Sequence, residues 1–245
     1  MIILFSPSEG KREGGTLPPL TQQSLIFPDL YSKRLAVIEQ YQTLTHRGSD
    51  EELYELFGLK DTKEYERYKF PFSTMPTMKA IERYDGVAYD YLSYTQLSLE
   101  VQHYIDTHTI IFSNLFGPIR AGDSIFDYKL KQGSSIGAFA PDKHYKESFS
   151  AALDEMIGDN EILDLRAGYY DKFYIPKKPS VTLKFLKGGK VVSHWAKAYR
   201  GIILREAAKH QISSIEELLA MNIEGLIVRE IMETKKKKEV VYSIV

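Results

Sequence analysis

The chain has 245 residues and a formal net charge of −1, and its 43% hydrophobic and 27% charged residues are ordinary for a globular protein in water. Because it contains no cysteine, it cannot use disulfide bonds, thiolate metal sites or thiol catalysis. No apolar run reaches the roughly 18 residues that cross a membrane, and the N-terminus lacks the basic flank of a signal peptide. We therefore expect a cytoplasmic protein.

The N-terminal segment joins a short apolar strand to a polar, glycine-containing loop. Residues 2–5 are continuously apolar, which predicts a strand in the centre of a sheet. A strand that enters a loop with Gly10 and Lys11 suggests a phosphate cradle. The Walker pattern fails, however, because Phe5 stands where its first Gly belongs and Arg12 where its Ser or Thr belongs. The sequence thus argues against a P-loop NTPase. The alternative of a loop that places Lys11 near an anion stays open.

Helical signals dominate the next hundred residues. Apolar residues recur at helical spacing in four segments, which are residues 28–44, 49–57, 77–84 and 97–105. In the second segment, Ser49 and Glu52 form the Ser-x-x-Glu pattern of a capping box, and Gly58 ends the helix.

A buried strand and a polar turn form the centre of the chain. The apolar run at 110–112 predicts the strand, and Asn, Gly and Pro then turn the chain. The ionisable side chains beyond this turn are Arg120, Asp123, Tyr128, Lys129 and Lys131. A rigid strand that delivers such groups on a loop is typical of a binding site. The same pattern also describes an ordinary strand–loop–strand with solvated charges.

The second half alternates helices and strands. Its predicted elements are a helix capped by Asp142 and ended by Gly158, a strand at 162–165, a hairpin of strands at 181–186 and 191–195, a helix through 203–208, a short helix capped by Ser214, and a strand pair at 226–231 and 240–244. Gly188-Gly189 is a two-residue hairpin turn. The lysines at 235–238 are predicted to form a solvated turn. We expect an α/β fold (mixed α+β), with one domain over residues 1–245 and a large mixed sheet surrounded by helices.

Cationic side chains recur where predicted strands end. They are Lys11, Arg120 with Asp123, Arg166 with Lys172, and Lys197 with Arg200. If these strand ends meet at one edge of a sheet, they form a basic cleft that suits phosphate groups. We therefore expect the last six of these side chains to surround one concave site. The alternative is a solvated surface whose charges are balanced elsewhere.

The six histidines show no ligand-pair spacing, which together with the absence of cysteine argues against a zinc site. We expect neither a metal nor a cofactor.

Five stretches, taken together and in this order, resemble the YaaA family of peroxide-stress proteins. They are SPSEGK at 6–11, RYDGVAYD at 83–90, SNLFGPIRAGD at 113–123 with YKL at 128–130, DLRAGYY at 164–170, and SHWAKAYRG at 193–201. The Ser-Glu-Gly-Lys form of the first stretch resembles a subgroup of the family.

This resemblance implies a single-domain α/β fold with a large sheet and a basic cleft. It also implies DNA binding and a role in limiting oxidative damage, associated with control of free iron. The family's central turn is likened to a helix-hairpin-helix, but Asn114 stands here in place of its first Gly.

Two functions of different classes remain open. The first is non-specific binding of double-stranded DNA, by a monomer, through the basic cleft. The second is a nucleotide- or phosphate-dependent enzyme that uses the same cleft, with Asp123, Tyr128, Tyr170 or Lys172 handling protons or metal. The residues predicted to contact phosphate are Lys11, Arg120, Asp123, Tyr128, Lys129, Arg166, Tyr170, Lys172, Lys197 and Arg200. An open groove favours the first function, and a pocket of small-ligand volume favours the second.

Overall fold

The computed structural model describes residues 1–234 and 237–245, with residues 193 and 194 described by their backbone only. Part of the lysine run predicted as a solvated turn, residues 235 and 236, lies outside the described residues. Among the described residues, no helix combines the length and apolar character that crossing a bilayer requires.

The strands, in chain order, are β1 (Ile2–Phe5), β2 (Gly10–Lys11), β3 (Met78–Lys79), β4 (Tyr84–Asp85), β5 (Thr109–Ser113), β6 (Gly117–Arg120), β7 (Ser124–Ile125), β8 (Ile162–Asp164), β9 (Ser180–Lys187), β10 (Lys190–Val191), β11 (Leu226–Glu233) and β12 (Lys237–Ile244). The helices are α1 (Tyr31–Arg47), α2 (Asp50–Phe57), α3 (Ala80–Arg83), α4 (Val87–Leu92), α5 (Leu99–His108), α6 (Pro141–Ile157), α7 (Ser193–Lys209) and α8 (Ile215–Ala220). Short 3-10 turns lie at Gln22–Ser24, Pro28–Leu30, Thr62–Tyr68, Tyr94–Gln96 and Gly168–Lys172.

Eight of the described strands form one mixed sheet, which confirms the expected α/β class. Its order is β11-β12-β9-β8-β1-β5-β6, and β10 pairs with β9. Strands β5, β1, β8, β9 and β12 run parallel, whereas β6, β10 and β11 run antiparallel to their neighbours. Strand β1 and the centre of β5 are continuous apolar runs, and all residues of the two strands except Ile2 are buried, so both faces of the sheet are covered there.

The sheet reverses its winding direction between β1 and β8. The chain leaves β1 toward β5 on one side and leaves β8 toward β9 on the other side. The loops that follow these two parallel strands therefore diverge and leave a crevice at the carboxyl edge of the sheet. Ligands of open α/β folds bind at such switch points.

Local signals located most helices correctly. The capping box is present, with the Ser49 amide 2.8 Å from the Glu52 carboxylate, and Gly58 ends α2 with a φ of 68°. The Gly188-Gly189 hairpin turn is also confirmed, since both residues have positive φ between β9 and β10.

Three local predictions were wrong. The helix expected over 77–84 is shortened to α3, because Met78–Lys79 pairs with β7 as a strand. The strand expected at 191–195 ends at Val191, and α7 begins at Ser193. Asp142 lies in the first turn of α6 rather than capping it, because Pro141 already occupies the first helical position.

The turn after β5 connects β5 to the antiparallel strand β6. It is therefore a β-hairpin and not a helix-hairpin-helix. Arg34 of α1 reaches into the core and donates hydrogen bonds to the carbonyl oxygens of Phe116 and Pro118, at 2.6 and 2.8 Å. This buried guanidinium holds the hairpin against α1.

Helices α4 and α7 cross in backbone contact at Gly201. A Cβ atom at this position would lie 1.9 Å from the carbonyl oxygen of Ala88. Any side chain at residue 201 would therefore push the two helices apart, and both helices carry residues of the cleft described below.

We expect Gly201→Ala to destabilise the protein by about 1–3 kcal/mol, because overpacking outweighs the gain in helix propensity of about 1 kcal/mol. Gly168→Ala is the matched control, since a Cβ there would meet no atom within 4 Å. Urea unfolding of both variants measures the difference. A Gly201→Ala protein as stable as the wild type would contradict the close helix crossing.

Candidate functional site

A cleft of about 480 Å³ lies at the carboxyl ends of β1 and β8. Its lining residues are Phe5, Ser6, Pro7, Ser8, Glu9, Gly86, Val87, Ala88, Tyr89, Gln132, Leu165, Ala167, Tyr170, Lys197 and Arg200. This volume falls in the range of small-molecule sites, roughly 300–1,000 Å³. The crevice at the switch point thus has the volume of a small-molecule pocket.

The first wall is the loop that follows β1. The Ser6 hydroxyl accepts a hydrogen bond from the Ala167 amide at 2.8 Å, and the Tyr89 hydroxyl donates to the Ser6 carbonyl at 2.9 Å. The Glu9 carboxylate accepts a hydrogen bond from the backbone N–H of Gln132 at 3.2 Å. Three distant segments are thereby joined around the cleft.

The second wall is the turn that follows β8, and a buried ion pair shapes it. Arg166, with its side chain 1% exposed, donates to both carboxylate oxygens of Asp164, at 2.9 and 2.7 Å. It also donates to the carbonyl oxygens of Tyr170 and Tyr174, at 3.0 and 3.1 Å. Arg166 is therefore fully engaged by the protein, so the prediction that it contacts a ligand phosphate is not supported by its geometry.

Two cations of α7 form the third wall. Lys197 is exposed at the mouth of the cleft, and Arg200, three residues later, is half-buried against it. Burial lowers the pKa of Arg200, and the nearby Asp164 carboxylate opposes this shift. Tyr170 also lines the cleft, and burial raises the pKa of its hydroxyl. The cleft thus combines an apolar floor with two cations on one side.

A further cation, Lys11, lies directly behind the first wall. Its ammonium nitrogen donates to the carbonyl oxygens of Ser8 and Glu9, at 3.1 and 3.2 Å, and lies 4.3 Å from the centre of the Tyr128 ring. Burial, assisted by the neighbouring charge of Lys129, lowers the pKa of Lys11 to about 7, against the opposing effect of carboxylates such as Glu9. A lysine in this state exchanges protons near neutral pH, as general acid–base groups do.

Tyr128 is buried beneath Lys11 in a chain of hydroxyl groups. Its hydroxyl lies 2.9 Å from both the Tyr84 hydroxyl and Ser113 Oγ, and burial raises its pKa to about 12. Ser113 Oγ in turn accepts hydrogen bonds from the amides of Leu115 and Phe116. Tyr128 therefore supports the turn after β5 and the ring face under Lys11 rather than lining the cleft.

The structure separates Arg120 and Asp123 from the cleft, so the prediction that all six strand-end residues surround one concave site was wrong. Because β6 runs antiparallel to β5, Arg120 pairs with Ile110 at the opposite end of β5. The Asp123 carboxylate accepts backbone hydrogen bonds from Ile26 and Arg120, each 2.9 Å long. Burial raises the pKa of Asp123 to about 6, against these hydrogen bonds and the nearby arginines.

The remaining two predicted cations lie near the cleft without lining it. Lys129 is 3.8 Å from the Glu9 carboxylate, and exposed Lys172 lies 5.0 Å from the centre of the Tyr169 ring. Of the ten predicted residues, the cleft lining includes Tyr170, Lys197 and Arg200.

The predicted residue set omitted several lining residues. Ser6, Ser8 and Tyr89 lie within the stretches that carry the family resemblance, so that signal could have identified them. Gln132 carries no signal in the sequence. Within the described part of the chain, no three His, Asp or Glu side chains come close enough to hold a metal ion.

We expect the Lys11 ammonium group to titrate near pH 7. The chemical shift of its Cε carbon, followed by NMR in protein with labelled lysine and assigned by its loss in Lys11→Met, measures the midpoint. Lys129→Met removes a charge that lowers this pKa and should raise the midpoint, whereas Glu9→Gln should lower it. A midpoint above pH 9, or shifts of the opposite sign, would contradict the burial of this amine.

The comparisons with known proteins agree with the resemblance in the sequence. The family model described as "Peroxide stress protein YaaA" matches residues 1–232. An uncharacterized protein of Campylobacter jejuni is 48% identical over 244 residues, covering 100% of this chain and 99% of that protein. A UPF0246 protein of Streptomyces coelicolor is 33% identical, covering 84% of this chain and 82% of that protein. The chain therefore belongs to the YaaA family of peroxide-stress proteins.

Proposed function

We propose that this protein acts in the cytoplasm during peroxide stress by binding a small phosphate-bearing ligand, of nucleotide type, in the cleft between β1 and β8. The observation that carries this proposal is the pocket itself: its volume of about 480 Å³ at a switch point suits a small molecule rather than a duplex.

The lining fits the two parts of a nucleotide. Apolar side chains such as Pro7, Val87 and Leu165 offer a surface for a planar base. Lys197 and Arg200 offer the charged donors that phosphate oxygens prefer. Because Arg200 is half-buried, its attraction for an anion is screened less than that of a surface cation.

Lys11, directly behind the first wall of the cleft, is our candidate for a proton-transfer group. It is held to the carbonyl oxygens of Ser8 and Glu9, both residues of the cleft wall, and its pKa of about 7 lets it accept or donate a proton at neutral pH. An enzyme that acts on the bound ligand would therefore have an acid–base group within the loop that contacts the ligand.

We expect Arg200→Ala to weaken binding of adenosine monophosphate roughly tenfold or more, since a charge-assisted hydrogen bond contributes about 1.5–3 kcal/mol. Lys197→Ala should weaken binding less, because Lys197 is exposed. Lys172→Ala is the control, since this exposed cation does not line the cleft. Isothermal titration calorimetry measures the affinities.

Mass spectrometry of small molecules that co-purify with the wild-type protein tests the ligand class directly. Co-purified phosphate compounds that Arg200→Ala loses would support the proposal. Affinities that fall equally in Lys172→Ala and Arg200→Ala would refute the assignment of the cleft.

Non-specific binding of double-stranded DNA is a second candidate, and the β9–β10 hairpin favours it. Lys187 and Lys190 are exposed there, and the Lys187 ammonium group lies 4.7 Å from the centre of the ring of Trp195 in α7. Exposed lysines of this kind can contact backbone phosphates without reading sequence. DNA would then bind outside the cleft, and protection from oxidative damage would follow from coverage of the duplex.

If this hairpin binds DNA, Lys187→Ala combined with Lys190→Ala should reduce the slope of log affinity against log salt concentration by about two. Arg200→Ala should leave the slope unchanged, because Arg200 lies inside the cleft. Fluorescence anisotropy with duplexes of two unrelated sequences provides the measurement. A slope that does not respond to the hairpin lysines would eliminate this candidate.

The resemblance to the family also implies an association with control of free iron, and we propose that this association is indirect. The described residues provide no cluster of metal-ligating side chains, so we propose that iron control follows from the ligand bound in the cleft.

A further inference from the structure

Strand β11 forms an exposed edge of the central sheet. It pairs with β12 on its inner side, and within residues 1–234 and 237–245 no strand lies beyond it. Seven of its eight residues are exposed, including the apolar side chains of Ile227, Val228, Ile231 and Met232. Long edge strands with exposed apolar residues are templates for pairing with another strand.

A β-bulge at Arg229 determines which side chains of β11 share a face. Val228 pairs with Tyr242 and Ile231 with Val240, and these two partners are two residues apart on β12. Val228 and Ile231 therefore lie on the same face, although they are three positions apart in the chain. In a regular strand they would lie on opposite faces.

The other face of β11 shows the same relation. Ile227 pairs with Ser243 and Met232 with Glu239, and these partners are four residues apart on β12. Ile227 and Met232 therefore share the second face of the strand. The two faces of β11 are thus arranged symmetrically around the Arg229–Glu230 step.

We propose that β11 pairs with β11 of a second copy of this chain, antiparallel, about a two-fold axis between Arg229 and Glu230. Val228 then lies opposite the partner's Ile231, and Ile227 opposite the partner's Met232. Arg229 lies opposite the partner's Glu230, so that apolar side chains meet apolar ones and opposite charges meet.

The bulge makes this register specific. A shift by one residue in either direction would set residues of opposite faces against each other, for example Val228 against the partner's Met232. In the symmetric register, side chains of the same face lie opposite each other on both faces of the strand, and both Arg229–Glu230 pairs form. It is an isologous interface, as in most homodimers.

The paired strands continue the sheet of one copy into the other. The contact involves one strand of eight residues from each copy. It therefore buries less surface than the roughly 1,200–2,000 Å² of a standard interface. We therefore expect a dimer that dissociates on dilution. The cleft lies between β1 and β8, two strands away from β12, and stays open in the dimer.

The absence of cysteine allows a clean cross-linking test. Val228→Cys and Ile231→Cys proteins, mixed and oxidised, should form a disulfide-linked dimer containing one of each, because opposite Cα atoms lie about 5 Å apart. Ile227→Cys mixed with Met232→Cys should do the same. Val228→Cys alone should not cross-link, since its own counterpart is three residues out of register.

The control for chance collisions is Val228→Cys mixed with Val191→Cys, since Val191 is an exposed apolar residue of β10, away from β11. Cross-linking in this control equal to that of the test pairs, or no cross-linking in either test pair, overturns the proposal.

Charge exchange tests the same register without cysteines. Arg229→Glu or Glu230→Arg alone places like charges opposite each other and should weaken the dimer roughly tenfold, because each dimer contains two such pairs. The double variant Arg229→Glu/Glu230→Arg should restore dimerisation. Sedimentation velocity over a concentration series measures the association. A monomer at the highest attainable concentration, or a dimer that ignores the single exchanges, refutes the interface.

Discussion

The buried ion pair between Asp164 and Arg166 is the interaction on which the site depends. It ties the last residue of β8 to the turn that follows, while the same guanidinium gathers the carbonyl oxygens of Tyr170 and Tyr174. Loss of one partner from such a pair costs about 3–5 kcal/mol, because the other charge is left buried and uncompensated. Only with this turn fixed can the Ala167 amide reach Ser6 and join the two walls of the cleft.

The cation Arg200 of the site attracts an anion because it is partly buried, not because the chain carries an excess of positive charge. The chain carries 32 Lys and Arg against 33 Asp and Glu, so no general positive field surrounds it. Arg200 is instead placed where water is partly excluded, which lowers its pKa. In such surroundings a single charge attracts an anion more strongly than the same charge on the surface. A near-neutral protein can thereby hold an anionic ligand.

Two different surfaces therefore carry the two candidate functions. The cleft between β1 and β8 is concave and partly apolar, whereas the β9–β10 hairpin presents exposed lysines outside the cleft. The edge strand β11 is a third surface, separated from the cleft by β12 and β9. The proposed ligand binding, DNA contact and self-association can therefore each be tested by substitutions that do not overlap.

Features that depend on near neighbours could be read from the sequence alone: the buried runs of β1 and β5, the capping box of α2, and the Gly-Gly hairpin turn. The capping box and the turn involve residues at most three positions apart, and the two strands follow from short apolar runs. Tertiary structure decided the rest. The antiparallel course of β6 carried Arg120 away from the cleft. Gln132 entered the cleft because its amide bonds to Glu9, 123 residues earlier, and no local pattern encodes a contact of that separation.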